Sequence, residues 1–181
     1  MTTLVFCLEE PSAKAMLENL LPKITTRFDN FFYIVFDGKQ DMEKQLVSKI
    51  KFWKQPDSQF LILRDQDSAL CLEVKQQIQQ LCIQAGRPDA IIRIACRELE
   101  SFYIGDLMAV EKAFSLNGLH RQQGNRKFRT PDQLNNAKQE LKKLTKNKYQ
   151  EISGSREIAK HMDVDNNKSH SFQTLINSIK I

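Results

Sequence analysis

The chain lacks the sequence marks of several large functional classes. None of its apolar runs approaches the roughly 18 residues that a membrane-spanning helix requires. It has no Gly-x-x-x-x-Gly-Lys-Ser/Thr loop, so it does not carry its own Walker-type ATPase, and no Gly-x-Gly-x-x-Gly dinucleotide fingerprint. A Gly-x-Ser-x-Gly nucleophile elbow is also missing. The three histidines, His120, His161 and His170, have no ligand spacing, and Cys7, Cys71, Cys82 and Cys96 form no Cys-x-x-Cys pair. That speaks against a zinc site and points to free thiols among apolar neighbours in a reducing cytosol. The start has no basic n-region, and Glu9-Glu10-Pro11 interrupts its short apolar stretch, so a signal peptide is not expected and a cytoplasmic location is. Primase or topoisomerase activity would normally need further domains that 181 residues cannot house.

What is present fits one domain, or one domain with a helical extension. Hydrophobic residues make up 41% of the chain, enough for a real core at this size, and the 27% charged fraction is ordinary. The net charge of +5 is unevenly placed. Residues 1–100 carry 13 basic and 14 acidic side chains, whereas residues 101–181 carry 14 and 8. The segment 121–148 is the most cationic, with nine Lys or Arg against Asp132 and Glu140. Such asymmetry is what a polyanion partner would select.

The first hundred residues alternate short apolar runs with amphipathic stretches. Strands are predicted at Leu4–Leu8, Phe31–Phe36, Phe60–Leu63 and Ala90–Ile94. Helices are predicted between them, with Ala15, Met16, Leu17, Leu20, Leu21 and Ile24 on one stripe, Met42, Leu46, Ile50 and Trp53 on the next, and Leu70, Val74, Ile78, Leu81 and Cys82 on a third over residues 69–84. This predicts an α/β fold: a central, mainly parallel sheet of about four strands flanked by helices, with residues 1–105 as the core. Residues 106–181 read as a basic helical C-terminal extension packed on it. There, Thr130-Pro131-Asp132-Gln133 looks like a helix start, with the helix running to about Lys146, and a last helix covers Phe172 to Ile179. Residues 116–129 read as a mobile loop.

In parallel sheets, sites lie beyond the carboxyl ends of the strands. Here three strand ends each deliver acids: Glu9 and Glu10 after the first strand, Asp65 and Asp67 after the third, Glu98 and Glu100 after the fourth. Acids converging on one edge would repel one another without a cation, and a hard divalent ion takes oxygen ligands of this kind. Each also has an ordinary role open to it. Asp67 is placed to cap the following helix, Glu9 and Glu10 to favour a helix N-terminus, and Glu98 and Glu100 to pair with Arg93 and Arg97.

The strings Leu8-Glu9-Glu10-Pro11-Ser12, Leu63-Arg64-Asp65-Gln66-Asp67-Ser68 and Arg93 to Asp106, with its Arg97-Glu98-Leu99-Glu100, and the late Ser171-Phe172 before an apolar helix resemble a family of uncharacterised bacterial Toprim-like proteins, over residues 4–179. The resemblance implies a Toprim-like fold related to the Toprim part of OLD-type nucleases. It implies Mg²⁺ (or Mn²⁺) held by Glu9, Asp65 and Asp67, with Glu98 and Glu100 completing a catalytic set. It also implies a partner ATPase encoded nearby, in a module suspected of antiphage defence. Two positions depart from the pattern: Glu10 stands where glycine is common, and Ala13 where a second glutamate is common, with Glu10 placed to compensate.

The expectation is therefore a Mg²⁺-dependent nuclease acting on DNA or RNA, since a carboxylate-held metal can activate water and neutralise a scissile phosphate. Lys138, Lys142 and Lys146 recur every four residues. With Arg126, Lys127 and Arg129 they form a candidate phosphate-tracking surface, the alternative being a solvated helix face. A non-catalytic subunit that binds an ATPase or nucleic acid is the second reading, and a nucleotide- or phosphate-binding regulator the third.

Overall fold

The computed structural model describes residues 1–180. Four strands form one sheet: β1 (Thr3–Leu8), β2 (Asn30–Val35), β3 (Ser58–Asp65) and β4 (Ile91–Ala95). Their order is β2-β1-β3-β4, with every neighbouring pair parallel. Parallel neighbours need crossovers, supplied by α1 (Pro11–Leu20), α2 (Lys39–Lys51) and α3 (Cys71–Gln84). The chain adds β2 on one side of β1 and β3 on the other, so the topology reverses between β1 and β3, and a crevice at the carboxyl ends opens there.

Side chains alternate across each strand, and the sheet is covered on both faces. Leu4, Phe6 and Leu8 of β1, with Leu61 and Leu63 of β3, pack against Met16, Leu17 and Leu20 of α1. The same core takes in α4 (Glu100–Ile104), α5 (Leu107–Ala113), α6 (Ala137–Leu144), α7 (Glu151–His161) and α8 (His170–Ile179), through residues such as Phe102, Val110, Leu141, Ile158 and Phe172. Val5, Cys7, Phe60, Ile62 and Ile92 face the other way, onto Met42, Leu46 and Ile50 of α2 and Val74, Ile78 and Cys82 of α3. The α/β class, the four parallel strands and the flanking and C-terminal helices agree with the sequence. All four cysteines are free thiols: Cys7 and Cys82 are buried, Cys71 and Cys96 half-buried.

Several local expectations are corrected. The single helix expected from Pro131 to Lys146 is broken into a 3₁₀ turn at Pro131–Gln133, an extended Leu134, and α6. Thr130 does not cap backbone; its hydroxyl reaches the Gln133 side chain at 3.4 Å. The turn instead aims Asp132 at the start of α8, where its carboxylate accepts from Ser171 N (2.7 Å) and from the Ser169 hydroxyl (2.5 Å). Segment 116–129 is tied down rather than loose: the Gln123 side chain accepts from Leu107 N and donates to the carbonyls of Ile104 and Phe128, and Leu119 and Phe128 are buried. Leu70, expected inward, is 67% exposed because it stands at the N-cap of α3, outside the buried stripe. Helix α7 has no counterpart among the expected elements.

Candidate functional site

The strand ends bring most of the expected acids to one rim. Glu9 directly follows β1, Asp65 closes β3, and Glu100 opens α4 just past β4. Register sets the approach: Leu8 lies beside Leu63, and Asp65 beside Ala95. Glu9 is buried, and its Oε2 accepts from Asp65 N at 3.1 Å. Asp65 Oδ2 accepts from Leu99 N at 3.1 Å, at the turn leading into α4. Glu100 is 5% exposed and accepts from the Tyr149 hydroxyl at 2.9 Å.

These three carboxyls hold their protons more tightly than ordinary ones. Burial pushes Asp65 well up, and the charges of Glu9, Glu100 and Glu10 add to it, against the Leu99 N–H. Burial is also the largest cause at Glu9, where the hydrogen bond from Asp65 N and the Arg64 charge oppose it and Asp67 and Glu10 reinforce it. Glu100 rises through burial, against the Tyr149 hydroxyl and Lys138. The cations nearby do not cancel the cluster. Arg64 Nη1 pairs with Glu43 at 2.8 Å, while its Nε stands 4.0 Å from Glu9 and has no hydrogen-bond partner among the described residues. Lys138 is engaged by Glu151 at 2.8 Å.

Two other expected ligands sit differently. Asp67 is at φ 56°, just past the strand, and its carboxylate pairs with Lys39 at 3.0 Å. Glu98 turns to the C-terminal helices and accepts from Lys138 N at 2.9 Å, near the start of α6, where helix N–H groups lack intrahelical partners. Arg97 makes no ion pair with Glu98 or Glu100; its Nη1 reaches the Asp67 carbonyl at 3.4 Å. Glu10, the departure from the expected pattern, is felt electrostatically by Asp65, Glu9 and Lys138, so it belongs to the cluster.

The donor chemistry fits a hard divalent cation, because oxygen acids from separate strand ends press on buried Asp65, which has no lysine or arginine paired to it. The geometry is not that of a finished cage: among the described residues, no group of three His, Cys, Asp or Glu side chains stands close enough to hold a metal ion.

Tyr149 and α7 were missed by sequence reasoning. Tyr149 is fully buried, and Gly154 of α7 lies against its ring. A methyl group on Gly154 would sit 2.7 Å from Cε2 of Tyr149 and closer still to Cδ2, so the ring occupies space that only glycine leaves open. A Tyr followed five residues on by Gly amid serines was the available signal.

The basic residues do not form one continuous stripe. Lys127 pairs with Glu140 at 2.6 Å, and Lys138 with Glu151. Lys142 lies on α6, but Lys146 falls beyond its end at φ 51°, off the helical spacing. Arg126, Arg129 and Lys146 are exposed.

Residues 8–180 match the family described as Domain of unknown function (DUF4276). The chain belongs to that family. The match carries no activity and no link to Toprim or OLD-type proteins. No curated protein and no solved structure matches the chain. No helix among the described residues is long and apolar enough to cross a membrane.

Proposed function

We propose that this member of the DUF4276 family is a divalent-cation-dependent nuclease, with Asp65 and Glu100, flanked by Glu9 and Glu10, as the carboxylates that take up Mg²⁺ or Mn²⁺. The carrying observation is the burial of Glu9, Asp65 and Glu100, delivered by three strand ends beside the point where the topology reverses, with the charges of Glu9, Glu100 and Glu10 pressing on Asp65. Bound there, the metal would supply an activated water and neutralise a scissile phosphate. The chain's own part is to hold oxygen donors in a partly dry crevice and to give up protons as the cation enters. Tyr149 orients Glu100, and the exposed Arg126, Arg129 and Lys146, with the half-buried Lys142, are side chains available to a phosphate backbone. A Toprim-like relationship to OLD-type nucleases, a cytoplasmic location, and pairing with an ATPase in an antiphage module belong to the same proposal.

The test is cleavage of DNA and RNA, tRNA included, by purified protein with Mg²⁺ or Mn²⁺, alone and with any ATPase encoded beside it. Wild type should cut and Asp65→Asn should not. Equal activity in the two removes Asp65 from the mechanism.

A specific observation favours a second reading, a non-catalytic subunit. Glu9, Asp65, Asp67, Glu98 and Glu100 each already accept a hydrogen bond or ion pair from the protein. No cleavage in either setting, with tight partner binding, would select it.

A further inference from the structure

Strand β2 forms one border of the sheet, with β1 as its only neighbour. The amides of Asn30 and Phe36 donate to Thr2 and Leu8. Alternation therefore turns the amides and carbonyls of Phe31, Tyr33 and Val35 outward, and none of them has a hydrogen-bond partner among the described residues. Exposed edges are commonly protected by charges, proline or bulges. Asn30-Phe31-Phe32-Tyr33-Ile34-Val35 contains no charge and no proline, and its pairing to β1 runs without a bulge. Beside it, a groove of about 660 Å³ runs between the strand and α2, lined by Ile34, Phe52 and Trp53. Phe52 is 74% exposed and Phe32 40%, so the apolar surface continues out of the groove. The charged residues lining it are Lys49 and Lys54.

We propose that the outer edge of β2 and this groove form a docking site for an extended segment of a partner protein that carries apolar and acidic side chains two residues apart, on one face, and adds as a fifth strand. The unpaired main chain calls for a strand, the groove takes its apolar side chains, and the two lysines select acids on the same side. A second copy of this chain fits less well. Antiparallel pairing of two β2 strands in one continuous sheet would set the lysines of one groove toward those of the other, with no acid lining either.

The test uses the full chain as bait for a displayed library of random dodecapeptides, followed by fluorescence anisotropy with the enriched peptides as synthetic probes. Peptides carrying apolar residues and Asp or Glu at positions two apart, on one face of the strand, should be enriched. Their affinity should fall about tenfold or more for the Lys49→Glu/Lys54→Glu double variant, and a peptide with its acids changed to lysine should recover it. Val35→Pro removes only an outward N–H, a change edge strands tolerate, and should weaken all of these peptides alike. Failure to enrich any peptide, or equal binding to wild type and the charge-reversed protein, would overturn the proposal. So would a wild-type dimer in sedimentation that dissociates in Val35→Pro, which would assign the edge to a second copy.

Discussion

The two faces of the sheet are covered by different kinds of chain. The α2–α3 face is closed by the crossover helices alone and encloses a small core around Met42, Leu46, Ile62 and Ile78. The other face needs α1 together with helices from the last eighty residues, and its core runs without interruption from Leu4 to Ile179. The buried acids follow the same division. Asp65 and Glu100 lie toward the helical half, where Tyr149 and Leu99 N meet them, while Asp67 pairs with Lys39 at the start of α2. A strand-end acid is thus left repelling its neighbours where the C-terminal helices dehydrate it, and is neutralised where the crossover helices leave it near solvent.

The comparison breaks most visibly if the helical half folds on its own. Phe172 is fully buried and meets Phe102 edge-on at 5.4 Å. Phe172→Ala should cost about 3–5 kcal/mol. Because one core joins both halves, the loss should lower a single transition. Trp53, the only tryptophan, sits on the opposite face, so its emission in denaturant should change together with far-ultraviolet circular dichroism. Native Trp53 emission after the helical signal has gone would mean two independent units.

A smaller effect is expected at Tyr149. Tyr149→Phe keeps the ring against Gly154 and removes the donor to Glu100, and loss of such a supporting hydrogen bond typically lowers metal affinity 10–100-fold, beside a stability cost of about 1–3 kcal/mol for the buried acceptor left unpaired. Gly154→Ala should destabilise the fold by a similar amount, about 1–3 kcal/mol, through overpacking while keeping the donor to Glu100. Urea melts beside metal titrations separate the two. A metal affinity unmoved in Tyr149→Phe would detach Glu100 from the site.

The smallest effect is in pH dependence. Asp65, Glu9 and Glu100 bind protons more tightly folded than unfolded. The stability they contribute is full below the ordinary carboxylate range and is lost as pH rises through their raised folded values. Asp65→Asn keeps an acceptor for Leu99 N but cannot ionise. Its stability should therefore fall less steeply with rising pH than that of wild type, measured by urea denaturation across the acidic to neutral range. Parallel curves would show that Asp65 is not under the strain described.

The sheet was legible because its strands are short, nearly continuous apolar runs ended by polar clusters, as Leu4–Leu8 before Glu9 shows. Helix α7 was not, since its buried face is Gly154, Ser155, Ile158 and Ala159, with one large apolar side chain to mark a period. Gly154 leaves room for the Tyr149 ring, and the spacing from Tyr149 to Gly154 was the one local trace of that contact. The break before α6 was hidden for a similar reason: Asp132 serves the distant start of α8, so a sequence resembling a local cap is used for a tertiary one. At the rim, spacing brought the right strand ends together but could not say which way each carboxylate turns. Glu98 and Asp67 found partners in helix starts and a lysine, and Glu10, which looked like a departure, joined the repelling set.

Calorimetric titration of Mn²⁺ into wild type and Asp65→Asn, in two buffers of different ionisation heat, bears most directly on the acidic rim. Wild type should bind the ion and release protons, and the variant should bind on the order of a hundredfold more weakly, with less proton release. Equal affinity in the two proteins, or no heat of binding in wild type, would contradict a cation site at these strand ends.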